Sequence, residues 1–314
     1  MDMTKSLKGD PFVNRMRFTG TLTTLAPLHI GTGTGSTERV TRAPKGADKK
    51  ATQATADQPK PDPTTEVALV MKDFRGKPLL PGSSLRGVMR HWLHSVLVGF
   101  GDTWAYRRDF EGKALQGLSQ SSQIALVREE FSWLELLFGT PFHEGKVEVW
   151  DAPCTTASLK APDKLLEWRE QSLTYVDTSV AIDPDTGTAI ENLLYSTEVA
   201  PKGLTFEFNL VGQNLSEFEI GLILLALQGF NSEILPISIG ARTGRGYGRL
   251  SFTPGPVYAL RETNLTAWVT GLLNSGDSLA AQPAGYYVLP QLSAADQQTL
   301  MARAKTAVLS ELGG

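Results

Sequence analysis

The sequence predicts an α+β fold built on a split βαβ unit, the ferredoxin-like layout. Two observations predict it. With insertions set aside, periodic segments follow one another as strand, helix, strand, strand, helix, strand. Two glycine-rich loops mark the ends of this core: Leu28-His29-Ile30-Gly31-Thr32-Gly33-Thr34-Gly35 after the first strand, and Gly240-Ala241-Arg242-Thr243-Gly244-Arg245-Gly246-Tyr247-Gly248-Arg249 before the last.

The elements follow in order. Residues 16–25 alternate, with Met16, Phe18, Gly20 and Leu22 on one face and Arg17, Thr19, Thr21 and Thr23 on the other, which is a half-buried strand. Residues 36–66 carry no periodicity and end in Pro59-Lys60-Pro61-Asp62-Pro63, so a long inserted loop is expected there. A helix is expected after Pro81-Gly82, capped by Ser83 or Ser84, with Leu85, Val88, Met89, Trp92, Leu93, Val96 and Leu97 as its apolar face. A second helical segment ends at Glu135-Leu136-Leu137-Phe138-Gly139-Thr140, and Lys146 to Trp150 reads as a strand. Residues 173–182 and 193–200 form two arms of a hairpin around the turn Asp183-Pro184-Asp185-Thr186-Gly187. Leu204, Phe206, Phe208 and Leu210 alternate as a strand, and Ser216 caps an apolar helix running through Ile220, Leu224, Leu227 and Phe230. Leu250-Ser251-Phe252 closes the core as a short strand. Residues 255–314 form an extension ending in a helix over Leu292 to Leu312.

Composition sets the outer bounds. The chain has 314 residues, 41% of them hydrophobic and 20% charged, enough apolar mass for a sizeable core. Its net charge is -3, so any nucleic-acid binding must use local patches. The lone Cys154 excludes an internal disulfide and a Cys-rich zinc site, and suits a reducing cytoplasm. No signal-type apolar run follows Met1, and no stretch is long enough to span a bilayer, so a cytoplasmic location and no membrane partner are expected.

Chemistry concentrates in the loops. Glycine lets backbone amides approach a ligand closely, and arginine grips phosphate with a planar fork. Arg242, Arg245 and Arg249 among glycines, with Tyr247 to stack on, suit a nucleic-acid backbone. Arg86 and Arg90 lie on the first turns of a helix whose positive N-terminus can receive a phosphate. His29 is read either as a general acid or base for attack by a 2′-hydroxyl or as a ring bonded to the loop backbone. His91 and His94 have no third ligand in view, so zinc is not expected there. The loops lack the lysine of a phosphate-binding nucleotide motif, so no nucleotide cofactor is expected.

Three signatures in this order are similar to those of a known family: Leu28-His29-Ile30-Gly31 after the first strand, Leu80-Pro81-Gly82-Ser83-Ser84-Leu85-Arg86-Gly87 opening the first helix, and Gly244-Arg245-Gly246-Tyr247-Gly248 before the last strand. Leu137-Phe138-Gly139 and the segment Glu198 to Phe206 add to them. Over roughly residues 16–254 the chain resembles the RAMP superfamily, and within it the backbone (Csm/Cmr-like) subunits of type III CRISPR RNA-guided effector complexes.

The resemblance implies a ferredoxin-like (RRM-like) palm over 1–254, with the insertion at 36–66, a hairpin thumb at about 175–200, and a C-terminal extension at 255–314. It implies a cytoplasmic antiviral ribonucleoprotein whose partners are a guide CRISPR RNA, a target RNA, other RAMP-family subunits and the large subunit. RNA contacts are expected from His29, Gly31, Gly33, Ser83, Ser84, Arg86, Arg90, Arg242, Arg245, Tyr247 and Arg249. In cleaving relatives an aspartate in the loop after strand one cuts the target. Here Val67 stands nearest the matching place, leaving Asp62 and Glu66 as candidates to orient the 2′-hydroxyl or hold a divalent cation such as Mg. Three readings stay open: a guide-RNA-binding subunit with metal-dependent endoribonuclease activity on the target, a catalytically silent structural subunit, and a stand-alone repeat-RNA processing endoribonuclease using His29.

Overall fold

The structure is a computed structural model, which describes residues 5–32, 37–40, 65–100, 112–160, 167–182, 185, 187–274 and 289–313. It is a mixed α+β protein with several antiparallel sheets. β1 (Asn14–Thr24) is the alternating strand, and Met16, Phe18 and Leu22 are buried as its pattern requires. It lies between β9 (Thr205–Gln213) and β10 (Leu250–Arg261), antiparallel to both, with Phe18 opposite Leu210 and Leu22 opposite Phe252. β5 (Val147–Val149) completes the sheet on the far side of β9, giving the order β10-β1-β9-β5. With α1 (Gly82–Leu97) leading from β1 to β5 and α4 (Glu217–Gly229) from β9 to β10, this is the split βαβ connectivity.

The helices bury one stripe or more against that sheet. On α1, Leu85, Met89, Leu93 and Leu97 are buried at helical spacing and join one core with Phe206, Phe208 and Phe252. The helix starts at least two residues earlier than a cap at Ser83 or Ser84 would place it. Pro81 precedes it without a side-chain cap, and the carboxylate of Asp151 takes the Gly82 amide at 2.7 Å. A Cβ on Gly82 would fall 2.1 Å from the Val149 carbonyl, so only glycine lets α1 begin against β5. On α4, Ser216 and Glu219 form a capping box.

α4 is apolar nearly all round because it is covered on two sides. The outer cover is α6 (Ala294–Leu312), whose Leu300 and Ala304 are buried in the main core. Before it come α5 (Glu262–Asn274) and, earlier in the chain, α2 (Gln120–Glu130) and α3 (Trp133–Phe138). α3 lies where the sequence places a helical segment ending at 135–140, and Gly139 follows it.

A second sheet has the order β2-β3-β8-β7. The expected hairpin is β7 (Tyr175–Ile182) paired with β8 (Ala189–Val199), the second arm beginning earlier than 193. Asp183, Pro184 and Thr186 of its turn lie outside the described residues. The insertion at 36–66 opens and closes as strand: β2 (Thr37–Val40) pairs with β3 (Thr65–Ala68), and β3 runs parallel to β8, Val67 opposite Ser196. β4 (Leu79–Leu80) and β6 (Ala152–Pro153) make a small third sheet. The last strand differs most from expectation. β10 does not stop at Phe252 but continues through Pro254 and Pro256 to Arg261.

Candidate nucleic-acid interface

The two glycine loops meet in space. The His29 carbonyl accepts the Ala241 amide at 2.8 Å, and the Pro27 carbonyl accepts the Gly248 amide at 2.8 Å. The approach is so close that a Cβ on Gly240 would stand 2.3 Å from the His29 oxygen, and Gly240 has φ +89°. Both the spacing and the left-handed backbone therefore demand glycine there.

The hairpin foot joins them. Leu28 and Ala200 exchange backbone hydrogen bonds at 2.8 Å. The His29 ring is buried, with Nδ1 2.8 Å from the Glu198 carbonyl. A carbonyl only accepts, so Nδ1 carries the hydrogen. The ring is thus bonded to the backbone of β8 and not to that of its own loop. Gly31 is exposed and bridges to Val70. Gly33 and Asp62 lie outside the described residues.

Beneath the loops sits Glu198, a fully buried carboxylate that the sequence places in a motif but not in a site. It receives Lys72 Nζ at 2.6 Å, Thr174 Oγ1 at 2.7 Å, the Val70 amide at 3.1 Å and the Arg169 guanidinium at 3.3 Å. Burial alone would raise its pKa, but the hydrogen bonds from Lys72 and Thr174 and the Lys72 charge outweigh it and hold the carboxyl below its ordinary value.

On the outer side, the second glycine loop grips the hairpin. Arg242, in the left-handed conformation at φ 61°, donates to Asp177 Oδ2 at 2.9 Å and Thr197 Oγ1 at 2.6 Å. The Tyr247 hydroxyl donates to the same Asp177 oxygen at 2.8 Å. The Arg242 guanidinium lies 5.0 Å from the Tyr195 ring centre and 5.9 Å from that of Tyr247. Arg245 is exposed and donates to the Tyr195 hydroxyl at 2.7 Å. The three phenols differ. Burial pushes Tyr175 up to about 12, and burial with the Asp177 hydrogen bond raises Tyr247. The hydrogen bond from Arg245 lowers Tyr195.

The remaining candidates spread along neighbouring elements. Ser83 is exposed and Ser84 half-buried at the start of α1, with Arg86 and Arg90 half-buried on the following turns. Burial first, and then the Arg90 charge, lower the Arg86 pKa. The carboxylate of Asp151 occupies the first amide of α1, the one on Gly82. Arg249 Nε is buried without a partner among the described residues. The backbone of Glu66 is paired in β3 opposite Arg39, so Glu66 belongs to a strand and not to the loop. Among the described residues no group of three His, Cys, Asp or Glu is placed to hold a metal ion, and no helix is long and apolar enough to cross a membrane.

Asp177, Tyr195, Thr197 and Lys72 carry this site and are not singled out by the sequence. They meet the loops only through the fold, and no local pattern marks them. Comparison with curated proteins finds no match. The family model of the RAMP superfamily matches residues 21–251, a span running from within β1 to the start of β10 and holding both glycine loops, α1 and the hairpin. The chain therefore belongs to the RAMP superfamily.

Proposed function

We propose that this chain binds a guide CRISPR RNA as a backbone subunit of a type III RNA-guided effector complex. The observation that carries the reading is the junction of both glycine loops with the hairpin foot, where Arg242, Arg245, Tyr195 and Tyr247 gather. Arginines beside aromatic rings suit a single strand, whose phosphates and bases both need partners. On this reading the split βαβ sheet is the palm, and β7–β8 is the thumb that kinks the RNA. A target RNA, further RAMP-family subunits and the large subunit are its partners.

Cleavage of the target forms the second part of the proposal. Attack by a 2′-hydroxyl needs that oxygen held in line with phosphorus and deprotonated in time. A carboxylate from the second half of the insertion supplies this role, Asp62 before Glu66. The described residues alone build no magnesium site, so no step is assigned to a cation. The strand pairing of the Glu66 backbone favours a second reading, a subunit that binds RNA without cutting. The buried, backbone-bonded ring of His29 gives no support to a processing endoribonuclease using it.

Purification of the tagged chain from cells carrying its CRISPR locus, followed by sequencing of bound RNA, tests the binding role. Guide RNAs and related subunits are expected to co-purify. Recovery without RNA, or with RNA lacking spacer sequences, would contradict it. Mapping target fragments from the assembled complex with an Asp62→Ala, Glu66→Ala double variant separates cutting from silent binding.

A further inference from the structure

We propose that Tyr195 is a stacking platform for an unpaired RNA base, with Arg245 taking a phosphate beside it. The inference rests on the RNA-binding reading above and names a contact within that site. Tyr247, the tyrosine of the glycine loop, is half-buried and spends its hydroxyl on Asp177. Tyr195 comes from the opposite element, β8, and remains 37% exposed while its neighbours Ser196, Thr197 and Glu198 are buried. Its ring is held from two directions. Arg242 lies 5.0 Å from the ring centre, itself fixed by Asp177 and Thr197. Arg245 fixes the hydroxyl at 2.7 Å. A ring so held loses little freedom on receiving a base, and Arg242 beside it adds cation–π attraction within the stack.

Arg245 completes the arrangement. It has no carboxylate partner among the described residues, and its bond to Tyr195 uses one terminal nitrogen, leaving further donors of the guanidinium fork for an anion. The cation and the ring are hydrogen-bonded to each other at 2.7 Å, so a donor for phosphate and a face for a base lie side by side. Stacking of this kind accepts any base, which fits a protein that must hold guides of many sequences.

The test measures anisotropy of a short, unstructured, fluorescein-labelled RNA titrated with the full chain. Tyr195→Phe, which keeps the ring, is expected to bind within about twofold of wild type, while Tyr195→Leu and Tyr195→Ala weaken binding by roughly 5- to 150-fold. Wild type binding with Tyr195→Leu or Tyr195→Ala unchanged and Arg245→Ala weakened would overturn the stacking role and leave the RNA-binding reading standing. Absence of binding by wild type would overturn that reading, and the stacking role with it. Photocrosslinking of 4-thiouridine RNA to wild-type protein gives a readout that needs no variant to fold. An adduct on Tyr195 supports the proposal, and adducts confined to other segments overturn it.

Discussion

The Arg242 guanidinium stands 2.9 Å from the Asp177 carboxylate, tying the second glycine loop to the hairpin foot across a sequence separation of 65. The same oxygen receives the Tyr247 hydroxyl, so one carboxylate fixes two side chains of the loop. Charge-assisted bonds of this type hold geometry as well as energy. The loop is thereby set in shape before any ligand arrives.

Replacing Asp177 by alanine leaves Arg242 and Tyr247 without their shared acceptor. The expected cost is about 1–3 kcal/mol in urea unfolding. Hydrogen exchange should quicken across 240–248 more than in α4. Uniform exchange across the chain would show that the loop is held by other means.

Gly240→Ala tests the meeting of the loops. Its Cβ would press on the His29 carbonyl at 2.3 Å in a backbone region that alanine avoids. We expect about 1–3 kcal/mol of lost stability from the backbone strain alone. Gly244→Ala, with nothing within 4 Å of the added atom and no left-handed φ, serves as the neutral control. Equal stability of the two variants would contradict so close an approach of the loops.

Glu198 predicts a pH dependence. Its folded pKa is depressed below 4.5, so the unfolded chain binds the proton first as pH falls. The stability this gives is present above about 4.5 and is lost as pH drops through the folded value. Melting curves of wild type should therefore steepen against pH below about 4.5, and those of Glu198→Gln should lack that component. Parallel curves would contradict the assignment.

The buried pair Lys146–Glu219, at 2.7 Å with both side chains fully enclosed, gives a stability test away from the RNA site. Burial lowers the Lys146 pKa against the pull of Glu219. Lys146→Met strands a carboxylate in the core and is expected to cost about 3–5 kcal/mol. Adding Glu219→Gln should recover part of that stability in denaturant titrations. A double variant no better than the single one would show that Lys146 serves mainly through Ser6 and Asn214, to which it also donates.

What is legible in the sequence and what is hidden follow from the range of the interactions. β1, α1, α4 and the hairpin arms are legible because their apolar spacing is local. The glycine loops are legible as loops, but nothing local marks their meeting with each other. The cap of α1 comes from Asp151, a tertiary partner, and so the serines mislead. The last strand is expected to close at Phe252, with Pro254, Gly255 and Pro256 just beyond it, yet β10 flanks β1 at the end of the four-strand order, where proline is tolerated. The four-residue strands β2 and β3 sit at the ends of a segment with no periodicity, and only pairing with each other and with β8 makes them strands. Tyr195 and Asp177 are hidden for the same reason as the meeting of the loops.

The most direct test of the central claim is the salt dependence of RNA binding. Affinity of the full chain for a single-stranded guide RNA, measured across salt concentrations, should fall linearly on a logarithmic plot. An Arg242→Ala, Arg245→Ala double variant should show a slope flatter by about 0.7 for every phosphate these arginines neutralise. A flatter slope in the variant, with weaker binding, is the predicted result. The same affinity and slope as wild type would contradict the account.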